Sequence, residues 1–541
     1  MPESAVQALA LPPAREPDGA PALRGDVRAF LAEQVFVPRC DAWGSAWGWS
    51  PPFSRALAAR GWIGMTWPRR YGGAGRSALD RYVVTEELLA AGAPVSAHWV
   101  ADRQTGPALL RFGTEEQRER FLPAMARAEW AFAIGMSEAG SGSDLASVAT
   151  RAERVDGGWR VEGTKKWTGG AHVADFFVVL CRTSPPGEDR HAGLTQLIVD
   201  LRSPGISTRP IRLMHGVHQW NEVRLDGVFV PDGMILGEVG AGWGQVVAEL
   251  ANERSGPERV LSTFPLLAAF AAAAEAEDDP RVLTALGALV ARLAALRRLS
   301  LGVACALDEG RSPEVQAALV KDLGTAFERD VVEAARAARP FLRRGSDARL
   351  DELLAQAQLS TPGFTLRGGT TEILRSIVAR QLVSAALPGV DELAGRAVEP
   401  SGDGPLGRAM AIAEAAEVVL DLALVHARTR EQFGRPLARF QAVQHHLAVL
   451  AGHVMFARAA VDCGEEVAKI CTSAAAGEVV RLGHQLHGAV GYSDEHPLHR
   501  FTRPLWAWRD ELGTEGEWAA RLGGRMAGGE LWARLSPAGG S

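Results

Sequence analysis

The chain is short of the features that mark a disulfide scaffold, a zinc domain, a nucleic-acid binder or a membrane span. Its five cysteines, Cys40, Cys181, Cys305, Cys463 and Cys471, are odd in number, scattered and without a C-x-x-C pair. Neither a disulfide framework nor a metal site is therefore expected, and the chain reads as cytoplasmic. An excess of positive charge is missing too: 58 Lys and Arg stand against 64 Asp and Glu, a formal charge of -6. Affinity for a phosphate backbone comes from many cations displacing counterions, so nucleic acid is not expected as a partner. Long apolar runs are also absent. The most apolar stretch, residues 260–274, is interrupted by Ser262, Thr263 and Pro265 and falls short of the roughly 20 residues that a bilayer requires. The Pro- and Ala-rich beginning lacks the basic flank and apolar core of a secretory signal, and residues 1–24 read as a flexible tail.

What is present is a chain of 541 residues, 47% hydrophobic and 23% charged, enough for three or four domains. Residues 25–130 are helical in pattern, punctuated by Pro51-Pro52 and by the turn-prone Gly72-Gly73. Over 131–245 the character changes to short β-branched and aromatic runs, such as Phe176 to Leu180 and Leu197 to Val199, separated by Gly and Pro pairs. That spacing predicts a compact antiparallel β domain. Helical periodicity returns over 246–387, where Leu286, Leu289, Leu293 and Leu296 fall on one face. A stretch rich in Pro, Gly and acids marks a linker over 388–405, followed by a second helical region over 406–530 and a short tail over 531–541. The expected fold is α+β and mostly α: an N-terminal helical domain, a middle β domain and two C-terminal helical bundles.

Several motifs carry chemistry. Met136-Ser137-Glu138-Ala139-Gly140-Ser141-Gly142-Ser143-Asp144 is a loop of small residues and hydroxyls whose backbone N–H groups can approach a ring or phosphate closely. Lys166-Trp167-Thr168-Gly169-Gly170 follows about twenty residues later. Arg367-Gly368-Gly369-Thr370-Thr371-Glu372 closes the first helical region, Leu250-Ala251-Asn252-Glu253-Arg254 opens it, and the second region holds Arg430-Glu431-Gln432-Phe433-Gly434-Arg435-Pro436, Phe440-Gln441 and Gln485-Leu486-His487-Gly488. Together, and in this order, these segments resemble the signatures of the acyl-CoA dehydrogenases over about residues 25–526.

The resemblance implies FAD as cofactor, with Ser137 and Ser143 bonded to flavin or pyrophosphate and Trp167 covering the ring. Thr168, Thr370 and Glu372 would join them, while Arg430, Phe433, Gln441, Gln485 and Gly488 would hold the pyrophosphate and adenosine end. Many members carry their catalytic Glu where this chain has Gly368. Gly368 retains only its N–H, as a donor to the thioester oxygen, and the L-x-x-E-R alternative makes Glu253 the base, with Glu258 its rival. Ala139 for the usual Pro, and Gly169 where a hydroxyl often reaches the flavin, are departures.

The first helical region keeps the G-T ending and the second keeps R-x-Q-F-G, a division resembling the heteromeric actinobacterial dehydrogenases joined into one polypeptide. The implied activity is α,β-dehydrogenation of an acyl thioester, on CoA or a carrier protein, with an electron-transfer flavoprotein as acceptor and a homodimer as the assembly. An acyl-CoA oxidase and a flavin-free structural partner are the alternatives.

Overall fold

The computed structural model describes residues 4–41, 48–185, 187–254, 256–343 and 348–537, without the side chains of 250–253. The chain forms two compact units, Pro17–Glu258 and Met1–Glu16 with Arg259–Ala538. Among the described residues no helix is long and apolar enough to cross a membrane.

In the first unit, helices Ala20–Glu33, Pro51–Ala59, Ala78–Ala90 and Glu115–Ala126 precede a sheet. Their starts are written locally: Ser77 accepts from Asp80 N–H, and Thr114 forms a capping box with Gln117. Leu23, Val27 and Phe30 recur on the buried face of Ala20–Glu33. On that buried face Arg24 also bonds Glu87 at 2.8 Å and Glu86 at 3.0 Å. Phe121 ties these helices to the sheet through edge contacts with Phe132 and Phe176 at 5.8 and 5.3 Å.

The sheet strands are β1 Phe132–Gly135, β2 Arg151–Val155, β3 Gly158–Gly169, β4 Phe176–Arg182, β5 Leu194–Asp200, β6 Ile206–Arg212, β7 His218–Pro231 and β8 Ile235–Leu236. Their order is β6-β7-β3-β2-β4-β5-β8, with β1 on β4. Pairing is antiparallel as expected, except that β1 and the first residue of β2 meet β4 in parallel. β4 is buried along nearly its whole length, which is why its sequence is a continuous apolar run rather than an alternating one.

In the second unit, parts of both helical regions pack into a common cluster. Leu319, Leu374 and Leu382 pack in one cluster with Ile412, Val419, Leu447 and Leu482. Helices Pro280–Asp308 and Glu515–Met526 cross backbone to backbone: a Cβ on Gly287 would lie 1.8 Å from Ala519 O, and one on Gly523 would lie 1.9 Å from Leu283 O. The stretch 388–405 contains a short helix, Val390–Ala394, whose Leu393 is buried in the shared core. Composition reports backbone freedom, not whether a single leucine anchors the segment.

The expectation of a flexible tail over 1–24 is corrected at both ends. Ser4 and Gln7 form a capping box on helix Ala5–Ala8, and Ala5, Val6 and Leu9 are buried in the same core. Ala20–Glu33 has already begun by residue 20. Alanine and valine suffice here because the burial partner lies some 400 residues away: Ala5 N–H donates to Asp421 Oδ1 at 2.9 Å, a separation of 416 positions.

Burial pushes the Asp421 carboxyl up to about 6. With the folded value raised, the native chain holds a proton that the unfolded chain has released between roughly pH 4 and 6, so stability falls as pH rises through that window. Asp421→Asn keeps an acceptor for Ala5 and removes the buried charge. It should raise stability by about 1–2 kcal/mol near neutral pH, a gain that fades toward pH 4. Urea melts at the two pH values measure this, and an equal effect at both would contradict it.

Candidate functional site

In the first unit the loop after β1 is fixed to β3. Lys166 N–H donates to Ser137 O at 2.8 Å, and Glu138 and Ser141 bridge each other, with Glu138 N–H donating to Ser141 O at 2.7 Å. Beneath them Lys165 Nζ donates to Met136 O at 3.0 Å and to Glu138 Oε1 at 2.8 Å. Glu138 also accepts from the N–H groups of Ala149 and Thr150 at 2.7 and 2.9 Å. Burial alone would raise the Glu138 carboxyl, but the Lys165 charge and these bonds hold it below the usual carboxylate range. Burial draws the Lys165 ammonium below its ordinary value despite Glu138. The pair holds the loop in one conformation, and the sequence reading passed over both residues. Their signal was Lys165 at an inward position of a strand.

The next feature is a bulge. Lys165 pairs with Val223 and Thr168 with Asn221, so β3 carries one residue more than β7 across this interval. The extra residue puts Trp167 at φ 59°, a left-handed conformation unusual for a bulky side chain, and leaves it 51% exposed. Thr168 follows with its Oγ1 buried and without a hydrogen-bond partner among the described residues. Asn221 Nδ2 donates to Thr168 O at 3.1 Å, and His172 and His218 stack nearby at 4.0 Å. Ser137, Trp167 and Thr168 are thus brought together, while Ser143 is exposed in the second half of the loop.

Glu253 lies on helix Gly242–Arg254, but its side chain is outside the described residues. The rival, Glu258, is 1% exposed and paired with Arg103 at 3.4 Å, and Arg103 in turn lies over the Trp99 ring at 5.2 Å. A carboxylate committed to a buried ion pair is poorly suited to accept a proton from substrate.

In the second unit Gly368 and Gly369 take φ values of 68° and 101°, which a side chain would resist. They deliver the chain to Thr370, the N-cap of helix Thr371–Ser384. Lys321, fully buried, anchors this turn by donating to Gly369 O at 2.8 Å. The backbone N–H at Glu372 and the Thr370 hydroxyl hold the exposed Glu372 carboxyl below its usual range.

Arg430 caps helix Pro405–Thr429 and leads into a two-residue hairpin, Glu431–Gln432 with Arg435–Pro436. Phe433 and Gly434, at φ 53° and 76°, form its turn. Phe433 is 93% exposed and Tyr492 is 90% exposed. Gln441 and Gln485 are exposed at the first turn of Gln441–Val461 and the last turn of Glu465–His487, and Gly488 ends the latter at φ 66°, ψ -144°. Core packing explains none of these exposed groups.

Each unit by itself thus presents groups of the kind a flavin nucleotide takes up: in the first, a buried hydroxyl at Thr168 with no hydrogen-bond partner among the described residues and an exposed indole beside it; in the second, an exposed arginine and aromatic on a hairpin and a turn at Gly488 that only glycine adopts readily.

Comparison with known proteins agrees. The acyl-CoA dehydrogenase N-terminal domain matches residues 18–129, the middle domain 133–228, and the C-terminal domain 240–383 and 404–514. FadE34 of Mycobacterium tuberculosis is 35% identical over 67% of this chain, which spans about half of that protein (48%). IpdE1 of the same organism is 35% identical over 61% of this chain and 86% of its own length. Among solved structures, the Tcur3481-Tcur3483 steroid ACAD has 29% identity and a TM-score of 0.59, covering 68% of this chain and 97% of its own. An acyl-CoA dehydrogenase from Bacillus anthracis complexed with FAD covers 97% of both chains with a TM-score of 0.77 at 18% identity, a likeness of fold. With matches to all three domains and relatives more than 30% identical over most of their own length, the chain belongs to the acyl-CoA dehydrogenase family of FAD-dependent oxidoreductases.

Proposed function

We propose that this chain binds FAD and removes a proton and a hydride from the α and β carbons of an acyl thioester, carried on CoA or a carrier protein. The observation that carries the reading is the bulge at Trp167 and Thr168, which exposes an indole next to a buried hydroxyl that nothing among the described residues satisfies. The hydride acceptor in this chemistry is FAD. Glu253 takes the α-proton as general base. The N–H of Gly368 donates to the thioester oxygen as negative charge develops there, the kind of preorganised donor that lowers such barriers. Trp167 and Thr168 orient the ring, with Ser137 and Ser143 from the loop and Thr370 and Glu372 from the helix start. Arg430, Phe433, Gln441, Gln485 and Gly488 hold the pyrophosphate and adenosine end.

The cofactor halves are divided unequally along the chain, so a homodimer completes two flavin sites, one per chain. The Tcur3481-Tcur3483 steroid ACAD and the ChsE4-ChsE5 complex of Mycobacterium tuberculosis are each named as a pair of proteins, which supports a division of labour between unlike helical regions. An electron-transfer flavoprotein takes the electrons onward.

Light scattering with flavin absorbance is expected to give one FAD per chain in a dimer, bleached anaerobically by an acyl-CoA. Arg430→Ala should weaken FAD binding by roughly 10- to 150-fold, the equivalent of one charge-assisted bond of about 1.5–3 kcal/mol. A colourless protein that FAD cannot reconstitute would overturn the proposal, and rapid peroxide release in air would replace the flavoprotein acceptor with oxygen.

A further inference from the structure

Three histidines converge in the second unit, one of them some sixty residues before the other two. His426 stands in the last turn of Pro405–Thr429, His487 ends Glu465–His487, and His496 precedes Leu498–Asp510. Ring centroids lie 4.8 Å apart for His426 and His487, and 4.5 Å for His487 and His496. One ring nitrogen from each lies within 4.8 Å of those of the other two.

The central ring is poised as a ligand. His487 is 4% exposed. Its Nδ1 lies 2.7 Å from Gly483 O, and a carbonyl only accepts, so Nδ1 carries the proton. Nε2 is left as a buried lone pair with no hydrogen-bond partner among the described residues. A backbone carbonyl fixing one nitrogen while the other faces a metal is the usual arrangement around protein-bound zinc. Such an orphaned acceptor is costly unless something meets it.

We infer that His426, His487 and His496 form a binding site for a divalent transition metal of the zinc class, three neutral imidazoles with the fourth position open to water or an anion. Burial lowers the basicity of all three rings, bringing His487 to about 3, so each is in the neutral form that ligation needs near pH 7. Two adjustments accompany binding. The nitrogens must close to the roughly 3.3 Å spacing of a tetrahedral site, which the half-buried His426 and His496 rings allow. His496 Nδ1 accepts from Leu498 N–H at 3.2 Å, and metal binding gives up that long bond, either by ligation at Nδ1 itself or at Nε2 after the ring proton moves to Nδ1. Arg430 opposes a cation beside His426, which favours an anion as the fourth ligand.

The inference does not rest on flavin chemistry, and its test is independent of activity. Untagged full-length chain, stripped with chelator and dialysed, is titrated with zinc chloride against a chromogenic chelator. One equivalent is expected to bind, and cobalt chloride should give the intense visible bands of a four-coordinate ion. His426→Gln and His496→Gln, each half-buried and checked for native circular dichroism, should each weaken zinc at least about tenfold, while His445→Gln, elsewhere on the same unit, leaves it unchanged. Failure to bind an equivalent of zinc, or equal affinity in the variants and the parent, would overturn the site.

Discussion

Glu253→Gln is expected to leave a yellow, folded protein whose flavin is no longer bleached by acyl-CoA. The substitution is nearly isosteric, and Glu253 sits on a helix, Gly242–Arg254, that continues unbroken to the following residue. If the side chain is the sole base, the reductive half-reaction should slow by several orders of magnitude, on the order of 10²–10⁴ or more. Stopped-flow bleaching under anaerobic conditions reads this directly. Glu258 is the alternative that such a result removes: it is buried and engaged with Arg103, so Glu258→Gln should act mainly on stability. Full bleaching in Glu253→Gln would return the proton to another group.

The largest stability effect is expected at Arg24. Its guanidinium is 1% exposed and bonds two carboxylates that are themselves buried, Glu86 at 3.0 Å and Glu87 at 2.8 Å. Arg28 also reaches Glu87, at 2.8 Å, but it does not replace the contact to Glu86. Arg24→Ala strands buried negative charge, which costs about 3–5 kcal/mol, or roughly 10 °C in the melting of a unit of this size. The contrasting variant is Arg60→Ala, whose partner Glu33 is exposed at 63% and lies 3.1 Å away. That change should stay under about 1 kcal/mol. Differential scanning calorimetry compares the two, and similar losses would mean that the buried triad is not what holds Ala20–Glu33 against Ala78–Ala90.

Much of the fold was legible because it is written in local patterns. The Leu286, Leu289, Leu293 and Leu296 spacing does lie on the buried face of Pro280–Asp308. The short apolar runs did become β4 and β5. The same holds for the order of the motifs, since a loop of glycines and hydroxyls is recognisable wherever it ends up.

What failed to show was contact across long sequence separations. Residues 1–24 looked like a tail because Ala5, Val6 and Leu9 are too few to form a core of their own, and their partners lie mostly beyond residue 370. Nothing in the local sequence joins Lys165 to Glu138, or Lys321 to the Gly369 carbonyl, before the fold buries them.

Residue types and short-range periodicity by themselves determined the succession of helices and strands and the family motifs, because each depends on neighbours within a few turns. Only the tertiary structure decided that the two helical regions contribute to a common core cluster, that one extra residue in β3 turns Trp167 outward, and that His426, His487 and His496 meet. Those outcomes depend on which distant surfaces exclude water together, a property of the folded backbone that no local window contains.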